Sequence, residues 1–125
     1  MIDHVSIAVR DLGRSAAFYQ AVLATIGHTP LVERPHTIGF GKRYPEFWLN
    51  HRPAMAEVVP DTGVHVCLRA ASTEAVDAFH RVALELGATC DGPPGTRPHR
   101  TGAYYAAFIR DHDGNKIEAV TFVEA

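Results

Sequence analysis

Residues 4–9 read His-Val-Ser-Ile-Ala-Val and alternate apolar with polar or small side chains, the pattern of a strand buried on one face. Residues 65–70, His-Val-Cys-Leu-Arg-Ala, repeat it, so that Val5, Ile7 and Val9 correspond to Val66, Leu68 and Ala70. A helical stripe follows each strand. The first carries Leu12, Ala16, Tyr19, Leu23 and Ile26 behind Asp11, and the second Val76, Phe79, Ala83 and Leu86 behind Ser72. Asp11 and Ser72 are both good N-caps, and Gly27 and Gly87 are matching stops. Phe18 and Phe79 are 61 residues apart (79 − 18), and Gly27 and Gly87 are 60 apart (87 − 27), so one offset runs through strand, helix and stop. The chain is a duplicated unit.

Shorter strand-like runs complete each unit. In the first half they lie around residues 30–33, 37–41 and 46–50; in the second, around 88–90, 103–110 and 115–122. Asp113-Gly114 reads as the tight turn of a final hairpin. Residues 91–102 hold three prolines and three glycines and are expected to form a loop, and Lys42, Arg43 and Tyr44 an exposed hairpin tip. The expected architecture is α+β: two βαβββ modules forming a curved, partly open sheet around a cavity, with helices on the outer face. One domain is expected over residues 1–125, with module one at about 1–51, a linker at about 52–61 and module two at about 62–125.

Composition narrows the function classes. The 125 residues are 46% hydrophobic and 21% charged with a net charge of −2, the profile of an ordinary globular chain. Scattered Lys and Arg argue against nucleic acid or anionic lipid as partner. No apolar run is long enough to span a membrane, and the start of the chain has no signal-peptide pattern, so a cytoplasmic protein is expected. Cys67 and Cys90 form no CxxC pair and are expected to be half-buried free thiols.

The run Asp3-His4-Val5-Ser6-Ile7-Ala8-Val9, then Asp11-Leu12 and Phe18-Tyr19, His65, and Asp113-Gly114-Asn115-Lys116-Ile117-Glu118-Ala119-Val120 resemble the vicinal oxygen chelate superfamily. That superfamily includes glyoxalase I, extradiol dioxygenases, fosfomycin-resistance thiol transferases and bleomycin-binding proteins. The likeness covers nearly the whole chain, and its last segment is the most specific. The segments Pro94–His99 and Tyr104–Phe108 resemble a group of short bacterial members. The resemblance implies a divalent metal held by the first strand of each module and a last-strand carboxylate: here His4, His65 and Glu118. It also implies a homodimer, often with sites shared between subunits.

Strand parity is an independent check. If Val5, Ile7, Val66, Leu68, Ile117 and Ala119 pack on the helices, then His4, His65 and Glu118 all face the cavity. Two imidazoles and a carboxylate suit Zn, Mn, Fe, Co or Ni and leave positions open for a ligand with adjacent oxygens. Flanking residues make Trp48 the counterpart of Glu118, where glyoxalase I proper has a carboxylate, which argues against ordinary methylglyoxal chemistry. Trp48 is expected to line the cavity or stack on a planar ligand, Arg97, His99 and Arg100 to meet an anionic group or a proton, and Tyr104 to share the face of Glu118. No catalytic acid or base is singled out. Two functions stand: a metal-dependent enzyme (lyase, dioxygenase or thiol transferase) acting on a small molecule, or a binding protein that sequesters one without catalysis.

Overall fold

The computed structural model describes residues 1–98 and 103–123. The elements run β1 (Val5–Val9), α1 (Leu12–Ala24), β2 (Thr29–Glu33), β3 (Thr37–Gly41), β4 (Phe47–His51), β5 (Val66–Arg69), α2 (Thr73–Glu85), β6 (Thr89–Arg97), β7 (Ala103–Arg110) and β8 (Lys116–Val123). Both helices start at their expected caps: the Asp11 carboxylate accepts from the Arg14 N–H at 3.0 Å, and the Ser72 hydroxyl from the Ala75 N–H at 3.1 Å. Both stop at a left-handed glycine, Gly27 at φ 83° and Gly87 at φ 99°.

The repeat holds at the level of topology. One sheet has the order β1-β4-β3-β2 and the other β5-β8-β7-β6. In each, the first strand of the module lies parallel to the last, β1 to β4 and β5 to β8, and the other pairs are antiparallel. Among the described residues no ladder joins the two sheets and no barrel closes; β1 and β5 are edge strands. The helices pack on each other and on their own sheets. One apolar core holds Phe18, Tyr19, Val22 and Leu23 of α1, Val76, Phe79 and Ala83 of α2, and inward residues of both sheets.

The expected loop at 91–102 is corrected in part: β6 continues to Arg97. Pro93 and Pro94 are tolerated because β6 is an edge strand, and the register slips between Cys90 and Gly92 and again between Gly92 and Gly95. Bulges of this kind have no signature in hydrophobic periodicity. The thiols also differ from expectation, since Cys67 and Cys90 are both exposed.

A buried polar knot ties module two to module one. The hairpin turn before β8 places Asp111 under α1, where the Tyr19 hydroxyl donates to its carboxylate at 2.6 Å. The same carboxylate accepts from the backbone N–H groups of Asp113 and Asn115 and from the Asn115 amide. That amide also donates to the Ala8 carbonyl at 2.9 Å, and the Arg10 guanidinium meets the fully buried Asp113 at 2.8 Å. Burial pushes the Asp111 carboxyl up from its ordinary value, and the hydrogen bonds from Tyr19 and Asn115 work against that shift. Replacing Tyr19 by Phe removes one donor to a buried acceptor, so Tyr19→Phe is expected to lower unfolding stability by about 1–3 kcal/mol, read from the midpoint of urea denaturation.

Candidate functional site

The ladders determine which side chains share the face away from the helices. Cys67 pairs with Glu118 across β5–β8, and Phe108 pairs with Glu118 across β7–β8. Tyr104 pairs with Phe122, four residues beyond Glu118 on β8, so it shares the face of Glu118, while Tyr105 points to α2 and donates to Asp77. Glu118 is buried, 2% exposed, and a buried carboxylate requires partners. It has two. The Tyr104 hydroxyl donates to Oε2, and His65 Nε2 lies 3.1 Å from Oε1. The His65 ring lies 6.2 Å from Phe108, which supports it from the β7 side.

His4 stands apart from this pair. It precedes β1, is largely exposed, and places Nδ1 2.7 Å from Asp3. It does line a groove of about 300 Å3 together with Glu46, His65 and Cys67, between the starts of β1 and β5. Among the described residues no three His, Cys, Asp or Glu side chains come close enough to hold a metal ion. One chain thus joins His65 to Glu118 and leaves His4 across the groove.

The other expected site residues fall as follows. Ser6 pairs with Trp48 as Cys67 pairs with Glu118, so Trp48 occupies the position in module one that Glu118 occupies in module two. Its indole lies over Gly39, where an added Cβ would come within 3.0 Å of the ring, and the Arg34 guanidinium sits 5.6 Å from the ring centroid. Arg97 folds back along β6, donates to the Pro93 and Gly95 carbonyls at 2.8 and 2.7 Å, and lies over Phe108. His99 and Arg100 lie outside the described residues. Phe108 was not singled out in the sequence, yet the hairpin register that places Tyr104 on the face of Glu118 also puts Phe108 directly opposite it.

Cys67 faces the groove 4.0 Å from the Tyr104 hydroxyl. Desolvation, and then the negative charge of Glu118, push its thiol up to about 12, with Tyr104 hydrogen bonding acting the other way. Tyr104 itself is pushed up, first by desolvation and then by its hydrogen bond to Glu118.

The model of the Glyoxalase/Bleomycin resistance protein/Dioxygenase superfamily matches residues 1–119. The chain belongs to that superfamily. A glyoxalase/bleomycin resistance protein from Albidiferax ferrireducens T118 is 36% identical, with a TM-score of 0.81 over 94% of this chain and 96% of its own. A glyoxalase/bleomycin resistance protein/dioxygenase family enzyme from Burkholderia phytofirmans PsJN shares the fold at 21% identity and a TM-score of 0.73, over 98% of each chain. So does a variant of the fosfomycin resistance protein FosX from Listeria monocytogenes, complexed with Mn(II) and 1S,2S-dihydroxypropylphosphonic acid. It is 17% identical with a TM-score of 0.71, over 98% of this chain and 90% of its own. None of the curated proteins matches the chain. Among the described residues no helix is long and apolar enough to cross a membrane.

The Cys67 thiol provides a test of the site's electrostatics. At pH 9 an ordinary thiol is about half ionised, but with a value of about 12 only roughly one Cys67 in a thousand is thiolate. Because the folded value is raised, the folded state keeps this proton as the pH climbs from 9 toward 12. Iodoacetamide labelling followed by mass spectrometry is expected to show Cys67 reacting a hundredfold or more slowly than a free cysteine-containing peptide at pH 8.5. The Cys67 rate should then rise about tenfold per pH unit until the pH nears 12.

Proposed function

We propose that this chain is a metal-dependent enzyme of the glyoxalase/bleomycin resistance/dioxygenase superfamily. It acts on a small molecule that chelates the metal through adjacent oxygens, and His4, His65 and Glu118 are the ligands. The observation that carries the reading is the convergence of His65 Nε2 and Glu118 Oε1 at 3.1 Å on the face away from the helices. The donor chemistry suits Zn, Mn, Fe, Co or Ni, and two protein ligands already meet. His4, on the same groove with its ring open to solvent, is the available third. A bound divalent ion would hold neighbouring oxygens of the substrate and stabilise negative charge that develops on them.

The chain's own residues define the rest. The Tyr104 hydroxyl holds one oxygen of the Glu118 carboxylate and orients the other toward His65, the service an outer-shell donor gives a ligating carboxylate. Trp48 leaves module one without a carboxylate at the position of Glu118, so the ligand set has three members and keeps positions open for substrate. We assign the substrate contacts to Trp48, Tyr104 and Arg97, and to His99, which lies outside the described residues.

We further propose that the protein works as a homodimer in the cytoplasm. The exposed edges of β1 and β5 are flanked by Ile2 and Val64, which are 78% and 71% exposed, and a second copy seated there would cover them and bring its own His4 or His65 to the groove. Two free cysteines suit a reducing compartment.

Metal content of the purified protein tests the reading. Wild type is expected to carry close to one transition-metal ion per site, and Glu118→Ala, His65→Ala and His4→Ala to lose it at least tenfold. Sedimentation is expected to give the mass of a dimer. Negligible metal in wild type and Glu118→Ala alike, together with ligand-induced quenching of Trp48 fluorescence, would replace the enzyme with a sequestering protein of the bleomycin-binding type.

A further inference from the structure

Among the described residues, the face around Glu118 carries Arg69, Arg97, Arg110 and Lys116, and the last three have donors engaged. Arg110 and Lys116 share the Asp91 carboxylate at 3.3 and 3.0 Å. Arg97 gives its N–H groups to two backbone carbonyls. Arg69 is different. It is exposed on β5, two residues beyond Cys67 and on the same face, and among the described residues no carboxylate or carbonyl accepts from it. Its guanidinium carbon sits 4.9 Å from the Phe122 ring centroid, and Phe122 in turn meets Tyr104 edge-on at 5.5 Å.

A guanidinium held by its flat face against an aromatic ring keeps its in-plane N–H donors open. Stacking also limits where the head group goes, so the fork is partly pre-set for a planar or tetrahedral anion. Arg69 lies two residues along β5 from Cys67, which pairs with Glu118, and its guanidinium reaches Phe122, four residues beyond Glu118 on β8. The Glu118 carboxylate repels an anion at one end of this track, and Arg69 attracts it at the other.

We infer that Arg69 is the anion-binding residue of the sheet face that carries Glu118. The ligand is then a small molecule with a carboxylate, phosphonate, phosphate or sulfonate at the end remote from the atoms that meet the Glu118–His65 pair. The inference rests on this face being the ligand site, and it assigns the ligand's orientation: charged end on Arg69 and Phe122, oxygen-bearing end toward Glu118. The exposed pair makes the binding sensitive to salt.

Phenylphosphonate is a suitable probe, with its neutral dimethyl ester as the control. Binding is measured by calorimetry at low ionic strength in the presence of EDTA, so that bound metal cannot hold the anion. Phenylphosphonate is expected to bind wild type in the millimolar range or tighter, and at least tenfold more tightly than the ester. Arg69→Gln should lose tenfold or more in affinity with an unchanged circular dichroism spectrum. Arg69→Lys should fall between, because a point charge replaces the fork. Equal binding by wild type and Arg69→Gln, equal binding of acid and ester, or no binding to wild type would each overturn the assignment. Metal content, measured separately, keeps the two readings distinct. Arg69-dependent anion binding by protein that never holds metal upholds this inference and removes the metal reading. Metal-loaded wild type whose phenylphosphonate affinity ignores Arg69→Gln does the reverse.

Discussion

The Asp111 carboxylate is the point on which the rest of the structure turns. It accepts hydrogen bonds from the two N–H groups that shape the hairpin turn, from the Asn115 amide and from the Tyr19 hydroxyl of the other module. A charge at that depth is tolerated only when such partners surround it. The arrangement therefore admits one geometry: the turn must close, Asn115 must reach Ala8, and α1 must lie where Tyr19 can donate. β8 leaves this turn directly, and Glu118 is three residues beyond Asn115. Rigidity at the knot is passed to the site through one short stretch of strand.

From there the parallel pairing of first and last strands does the chemical work. A parallel pair brings side chains of equal parity onto one face at a fixed offset, so a residue opening β5 and a residue inside β8 meet without a loop to position them. In module two this gives His65 beside Glu118. In module one the same pairing aligns Ser6 with Trp48, so a duplicated frame holds an acid on one side and an aromatic surface on the other. The asymmetry of the groove arises from side chains placed on equivalent backbones.

The surroundings of Glu118 then explain its neighbours. Its carboxylate meets Tyr104 and His65 and adds to the desolvation that raises the Cys67 thiol, and Arg69 lies farther along β5 on the same face. Electrostatics along this row is graded, from carboxylate to thiol to guanidinium, and a ligand lying along it would be read by charge at one end and by its oxygens at the other.

The fold and much of this face were legible in the sequence, since they depend on local rules. Periodicity marked the strands and helices, Asp11 and Ser72 capped, Gly27 and Gly87 stopped, and a single offset exposed the duplication. Parity put Glu118 on the face away from the helices, and pairing the last two strands across the Asp113-Gly114 turn put Tyr104 on that face too. Other features required the folded chain. The bulges that carry β6 through Pro93 and Pro94, the meeting of His65 with Glu118 while His4 stays across the groove, and the different engagement of Arg97 and Arg69 have no local signature. Each depends on distances between strands far apart in the chain. Alternation determines the face a side chain occupies, and only packing determines which side chain on that face it meets.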